Sequence, residues 1–301
     1  CQYYIKCISH RYDQTSTVPY LGTSDSAAAA PILHTREVDM LLLVLGSASI
    51  ATLPRAVTVV KCGGADAAVC GDNLRAAAAA AVSGDELVLE DGTYGGKSND
   101  PRQDLYTVMI RQAITLRAQH PGQVVLDGEG TRGALAVSIT AFTPRTVVLS
   151  GLRLTRGQAS GGVGLFLSAT GSNTLFVVEN CEIYNNHGTQ GAGVLMENFQ
   201  SPVQLTGCRV HGNSAVDGGG LFLEANGGPV ALKSTDVYNN TASRYGGGLY
   251  NQIGHDVSLD GATAIHDNTA GSDWSSDCYD LDDPACGRKP PTPPPPPPSP
   301  P

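Results

Sequence analysis

The chain has 301 residues, a formal net charge of −9 with only 16% charged residues, and 36 Gly and 19 Pro against one Trp, five Phe and three Met. That length holds one large domain or two ordinary ones, and the acidic, weakly charged composition argues against a nucleic-acid binder. Of the Gly, 21 lie between Gly151 and Gly261 without a Gly-X-Y period, which disfavours helix bundles, since Gly weakens a helix interior by roughly 1 kcal/mol, and excludes collagen.

Residues 1–39 contain nothing that resembles folded sequence and are read as an upstream or disordered segment. Met40-Leu-Leu-Leu-Val-Leu-Gly-Ser-Ala-Ser-Ile-Ala51 is a short apolar run followed by small residues. It predicts a secretory signal peptide over 40–56 with cleavage near Ala51. The run is too short to cross a membrane, so no membrane span is expected in the mature chain. Eight Cys fit an oxidising compartment. Cys62 and Cys70 bracket a Gly-Gly turn, and Cys278 and Cys286 repeat the same spacing around an acidic loop. Each pair is expected to form a local disulfide. No Cys-x2-Cys zinc spacing occurs, and neither metal nor cofactor is expected. Asp72-Asn73-Leu74-Arg75 and the six Ala that follow predict a short helix starting at Asp or Asn. It is placed where it would cover the open end of what comes next.

From Gly84 onward the chain repeats. Val203-Gln-Leu-Thr-Gly-Cys208-Arg-Val-His-Gly-Asn213 leads to Gly218-Gly-Gly-Leu221-Phe-Leu223, and the same pattern recurs around Cys181 to Asn186, Thr235 to Asn240 and Ile265 to Asn268. Val178, Leu205, Leu232 and Leu259 are spaced 27 apart. Each unit contains three short apolar–polar alternations and no helix. That excludes leucine-rich, ankyrin and tetratricopeptide repeats, and the unit is too short for a propeller blade of ~40 residues. What remains is an all-β coil of about seven rungs from Leu87 to Ile265, its parallel strands forming three sheets with rungs ~4.8 Å apart. In such a coil Asn186, Asn213, Asn240 and Asn268 superpose as an inward ladder that satisfies turn backbone. Cys181 and Cys208 superpose as buried neighbouring thiols. The outward column Arg153, Glu182, Arg209, Asp236 alternates in sign and pins the register. The coil is assigned to 57–270, an acidic disulfide loop to 271–288 and a Pro-rich linker to 289–301.

The passage Gly-Asp-Glu-Leu-Val-Leu-Glu-Asp-Gly-Thr-Tyr94, followed by Ile114-Thr-Leu-Arg-Ala and Val124-Val-Leu-Asp-Gly128, resembles the start of right-handed parallel β-helix proteins of the pectin-lyase-like superfamily. The later units resemble the polymorphic outer-membrane (autotransporter) repeat, with Ile183, Val210, Val237 and Ile265 where that repeat has Phe. The resemblance spans about residues 72–270. It implies a right-handed coil with an N-terminal capping helix, and it leaves function open, because that superfamily hosts lyases, hydrolases, adhesins and inert rods.

The catalytic signatures of polygalacturonase-like, pectate-lyase-like and epimerase-like relatives are not found. The carboxylates left over for acid–base work are Asp127 and Glu129 beside Arg132, and Glu197 and Glu224 one rung apart, but no catalytic assignment follows from them. Two outward aromatic columns offer surfaces for sugar rings or a partner peptide. They are Tyr184, His211, Tyr238, His266, for which strand propensity and mutual stacking account for the pattern equally well, and Phe166, Leu195, Phe222, Tyr250, for which they account for it better. Five Asp between Asp273 and Asp283 read as a solvated loop without EF-hand spacing. Asn239-Asn-Thr241 is an N-glycosylation sequon at Asn239. Ten of the 19 Pro fall in the last twelve residues, an extended polyproline II spacer. It resembles the hydroxyproline-rich Ser-Pro linkers of green-algal and plant cell-wall glycoproteins. The sequence therefore predicts a secreted extracellular-matrix or cell-wall protein, structural or carbohydrate-binding, whose partners are polysaccharide or cell-wall glycoproteins. The alternative is a polysaccharide-active lyase or hydrolase.

Overall fold

The computed structural model describes residues 55–64, 66–96, 105–141, 143–159, 164–170, 174–199, 201–224, 228–252, 256–271 and 276–280. Residues 40–54 of the expected signal segment, the Pro-rich linker and Cys286 lie outside these residues.

One turn shows how the sequence folds. Val203–Thr206 forms a strand, a corner follows, and Arg209–His211 forms the next. After Asn213 comes Ser214–Asp217, and after the Gly run comes Leu221–Leu223. Each strand pairs in parallel with its counterpart one turn on, so Val203 faces Val230, Arg209 faces Asp236 and Leu221 faces Leu249. Stacking produces four sheets of eight, seven, five and seven strands. We call them sheets 1 to 4 in the order the chain visits them. Seven turns run from Glu86–Leu89 to Cys278–Asp280, preceded by the single strand Val57–Val60. The fold is a parallel β-helix.

The corners are set by backbone conformation. Gly207 between sheets 1 and 2 and Gly212 between sheets 2 and 3 both have φ of 64°. Most of their counterparts on other turns are Asn, Ser, Asp or Gly, among them Asn180, Ser234, Asn239 and Asp267, and one is Arg156 with φ of 50°. Small polar residues and Gly tolerate this left-handed region best. Between corners, alternate residues turn inward. Leu149, Val178, Leu205 and Leu232 stack at no more than 1% exposure, each contributing roughly 1.5–3 kcal/mol by leaving water. Leu259, equivalent to them on the last turn, is 52% exposed because among the described residues no strand follows it in sheet 1.

Three expectations need correction. The coil has four sheets, not three. The additional strands, such as Ser214–Asp217 and Thr241–Tyr245, are short and mostly polar and lack an apolar alternation to announce them. The helix runs over Ala67–Ala80, beginning earlier than Asp72. Asp66 is its N-cap and accepts from Val69 N at 3.0 Å, while Asp72 sits inside it and pairs with Arg75 at 2.7 Å. Finally, the coil does not stop at residue 270. Cys278–Asp280 adds a last strand to sheet 4 against Leu249–Asn251, because Cys278 continues the inward column of Leu165, Val194, Leu221 and Leu249.

The helix buries Cys70, Leu74, Ala77 and Ala78, and Arg75 donates to the carbonyls of Gly95, Gly96 and Thr107 at the start of the first full turn. Cys62 and Cys70 form a disulfide that ties the helix to the strand before it. Cys70→Ala should lower stability by ~2–3 kcal/mol through the lost loop constraint, measured by urea unfolding with and without reductant. Because Cys278 is also disulfide-bonded, reductant should lower the variant only by what that second bridge contributes, and the wild type by both contributions.

Candidate functional site

The Asn ladder is a continuous chain of amides. Asn186, Asn213 and Asn240 each donate from Nδ2 to Oδ1 of the next Asn, at 2.9, 2.9 and 3.0 Å. Each Nδ2 also donates to a carbonyl of the preceding turn, that of Leu154, Ile183 or Val210. The backbone N–H of each Asn donates to the same Oδ1 as its side chain. Gly157 N feeds the first Oδ1 at 2.8 Å. At the far end Asn268 donates from N and Nδ2 to Asp277 Oδ1, both at 3.1 Å. All the amide dipoles thus point forward, and a carboxylate receives their positive end. A charged acceptor strengthens such a bond. Asp277 is therefore a terminator of the ladder, a role not visible in the acidic loop as a sequence. Cys278 beside it is disulfide-bonded.

Outside, charges are paired from turn to turn. Glu182 accepts from Arg153 at 2.7 Å, Arg209 at 3.3 Å and His211 at 3.1 Å. Burial pushes this carboxyl up, but the hydrogen bonds from His211 and Arg153 and the charges of Arg153 and Arg209 outweigh it and hold it below its ordinary value. Lys61 pairs with Glu90 at 2.6 Å, Arg117 with Glu86, and His266 with Asp236 at 2.9 Å. Two buried carboxylates are gripped by exposed guanidinium groups one turn on, Asp127 by Arg156 and Asp217 by Arg244. Opposite charges facing each other across a ladder stabilise the correct register.

Asp127, Glu129 and Arg132 do not form one cluster with free groups. Asp127 is taken by Arg156 and by the amide of Glu129 at 2.8 Å. Glu129 holds Arg132 at 2.6 Å and the amide of Gly96 at 3.0 Å. These contacts brace a turn in which Glu129 has φ of 54°. Cys181 and Cys208 are buried thiols. The hydrogen bond to Cys208, and then burial, push the Cys181 thiol well above its ordinary value, which makes Cys181 a poor nucleophile.

The aromatic column Tyr184, His211, Tyr238, His266 is a face-to-face stack. Successive centroids lie 5.5, 4.9 and 5.7 Å apart with interplanar angles of 15°, 14° and 8°, and the Arg153 guanidinium covers Tyr184 at 4.9 Å. The ring faces expected to receive sugars are occupied by neighbouring rings, so the column offers edges and polar tips instead. In the other column Leu195 and Phe222 are buried, at 3% and 1% exposure. Phe222 stacks on Tyr250 at 4.9 Å. Asn239 is exposed on its turn.

The like-charged exception is Glu197 and Glu224. Met196 faces Leu223 in register, which puts the two carboxyls side by side on sheet 4. Burial, and then Glu224, push Glu197 up. Burial, and then Glu197, also push the Tyr106 phenol up. A carboxyl raised in the folded state contributes stability at low pH, lost as pH rises through its folded value. Glu197→Gln should therefore be more stable than wild type at neutral pH, and the gain should vanish below about pH 4.5, the ordinary Glu value. Urea unfolding at several pH values measures it.

Among the described residues no three His, Cys, Asp or Glu side chains converge on a point that could hold a metal ion, and no helix is long and apolar enough to cross a membrane. The stacked turns and their ladders define a parallel β-helix protein. No family model and no curated protein matches the chain. Among solved structures it is similar to the pectin methylesterase of Aspergillus niger in deglycosylated form, with a TM-score of 0.35 and 14% identity over 72% of this chain and 71% of that one.

Proposed function

We propose that the chain is the rod of a secreted extracellular-matrix or cell-wall glycoprotein, wound right-handed as parallel crossovers are, with the helix capping its first turn and a Pro-rich spacer after its last. The observation that carries this reading is the use made of the polar side chains. The Asn amides, Asp127, Glu182, Asp217 and their cationic partners are all spent on joining one turn to the next. That is the economy of a scaffold. Its adhesive contacts to polysaccharide or cell-wall glycoproteins would run along the edges of Tyr184, His211, Tyr238 and His266, with a glycan on Asn239 beside them. A glycan-array screen of the wild type and of Tyr184→Ala/Tyr238→Ala tests this. Binding lost in the double variant supports the column as the contact, and unchanged binding removes it.

The second reading, a polysaccharide-active lyase or hydrolase, is favoured by one observation, the Glu197–Glu224 pair, in which one carboxyl has the raised value expected of a general acid. An assay for new reducing or unsaturated ends over a polysaccharide panel decides it. Turnover abolished by Glu197→Gln would replace the scaffold reading.

A further inference from the structure

A second candidate site lies away from the aromatic column and the Glu pair, at the corner where sheet 4 returns to sheet 1 on the first turns. A cavity of about 290 Å³ opens there, lined by Ser83, Arg111, Gln112, Thr140, Thr143 and Arg145 over an apolar floor of Ala113, Ile139 and Ala141. Its electrostatics differ from the rest of the molecule. Arg75, Arg117, Arg132, Arg153, Arg156, Arg209 and Arg244 each pair with a carboxylate. Arg55, Arg111 and Arg145 do not, among the described residues, and all three are exposed; two of them, Arg111 and Arg145, line this one cavity. Among the described residues no Asp or Glu lines the cavity. The nearest in sequence, Asp85, is engaged by the amides of Ala56 at 3.1 Å and Val82 at 2.9 Å. Ser83 Oγ donates to Gln112 Oε1 at 3.3 Å.

In a chain of net charge −9, two unpaired guanidinium groups facing one cavity mark a place where a negative group is missing. Guanidinium binds carboxylate, sulfate and phosphate oxygens through paired N–H donors. The surrounding hydroxyls and amide suit a ligand that also carries hydroxyls. The volume sits at the small end of ligand pockets, roughly 300 Å³, enough for a single ring. We propose that this corner binds one acidic sugar unit, a hexose-sized group bearing a carboxylate, sulfate or phosphate, with Arg111 and Arg145 holding the oxyanion. A densely charged polyanion is a poor fit, because the net charge of the chain repels it.

The test titrates glucuronate, glucose 6-sulfate, glucose 6-phosphate and glucose into the ¹⁵N-labelled protein and follows backbone amides of residues 111–113, 139–143 and 145 by NMR. At least one acidic hexose should bind and glucose should not, and the order among the three acids identifies the anion. Arg111→Gln and Arg145→Gln should each weaken binding about tenfold, and the double variant about a hundredfold, as expected for charge-assisted pairs. Lys233→Gln, which removes a charge elsewhere, should bind as the wild type does, and amide spectra report whether each variant is folded. The proposal is overturned if no acidic hexose shifts these amides or if glucose binds equally well. It is also overturned if the folded double variant retains wild-type affinity, or if Lys233→Gln loses as much as the arginine variants.

Discussion

Asn213→Ala should cost about 3–6 kcal/mol of unfolding free energy, a large share of what any domain has to lose. Asn213 is 1% exposed and its amide makes bonds in both directions. Its removal strands the backbone N–H of Asn186, the forward donor of the Asn186 side chain and the carbonyl of Ile183. Each buried, unpaired group costs about 1–3 kcal/mol. Asn213→Asp separates this cause from simple packing. The shape is kept and Asn186 still finds an acceptor, but the donor to Ile183 O and Asn240 Oδ1 is gone and a carboxylate is left buried. The Asp variant should therefore also be destabilised at neutral pH and should recover part of the loss in acid, where its protonated oxygen can donate. Chemical denaturation at pH 7 and pH 4 measures both. A cost below about 1 kcal/mol for the Ala variant would mean that the ladder is decoration.

Gly220→Ala should also be strongly destabilising, for a different reason. Gly193, Gly220 and Gly248 stack at the entry to sheet 4, and their backbones are not in the left-handed region. Space is the constraint. A Cβ on Gly220 would lie 2.4 Å from the carbonyl oxygen of Gly248 and 2.9 Å from Val237 Cγ1. Neither neighbour is a flexible side-chain end, so the turns would have to separate. Overpacking of this kind costs about 1–3 kcal/mol and sometimes more, and here the next turn is part of the obstacle. Gly261→Ala is the matched control, because a Cβ there meets nothing within 4 Å. It should change stability by less than ~0.5 kcal/mol. Equal effects in the two variants would refute the steric account.

The same residues show what was legible in the sequence. The spacing of Val178, Leu205, Leu232 and Leu259 sets the turn length, and their pairing follows from it. The Asn positions were readable because a buried, repeated Asn has few uses other than bonding its own copies. The third sheet was hidden, since a strand such as Thr241–Tyr245 buries little besides Ala242 and carries no period. Asp277 was unreadable as a terminator because its acceptor role depends on a chain return from Asn268 that no local pattern announces. Arg156 and Arg244 were missed, although a signal existed, since each lies one turn after the Asp that it grips. The aromatic column was seen, but the periodicity that places rings above one another also covers their faces. Sequence spacing reports neighbours and is silent on which side of a ring stays free.

The alternation of outward partners has a consequence for how such a protein can grow or shrink. The interior repeats every turn, but the outer columns repeat every second turn, as Arg153, Glu182, Arg209, Asp236 and as Tyr184, His211, Tyr238, His266. Deleting one turn, residues 203–229, would rejoin the apolar core without a seam yet set Glu182 against Asp236. Deleting 176–202 instead would set Arg153 against Arg209. Removing both, 176–229, restores opposite signs by bringing Arg153 to Asp236. Inside, the unit of length is one turn. On the surface it is a pair, so duplication and loss in this chain should be tolerated in even numbers.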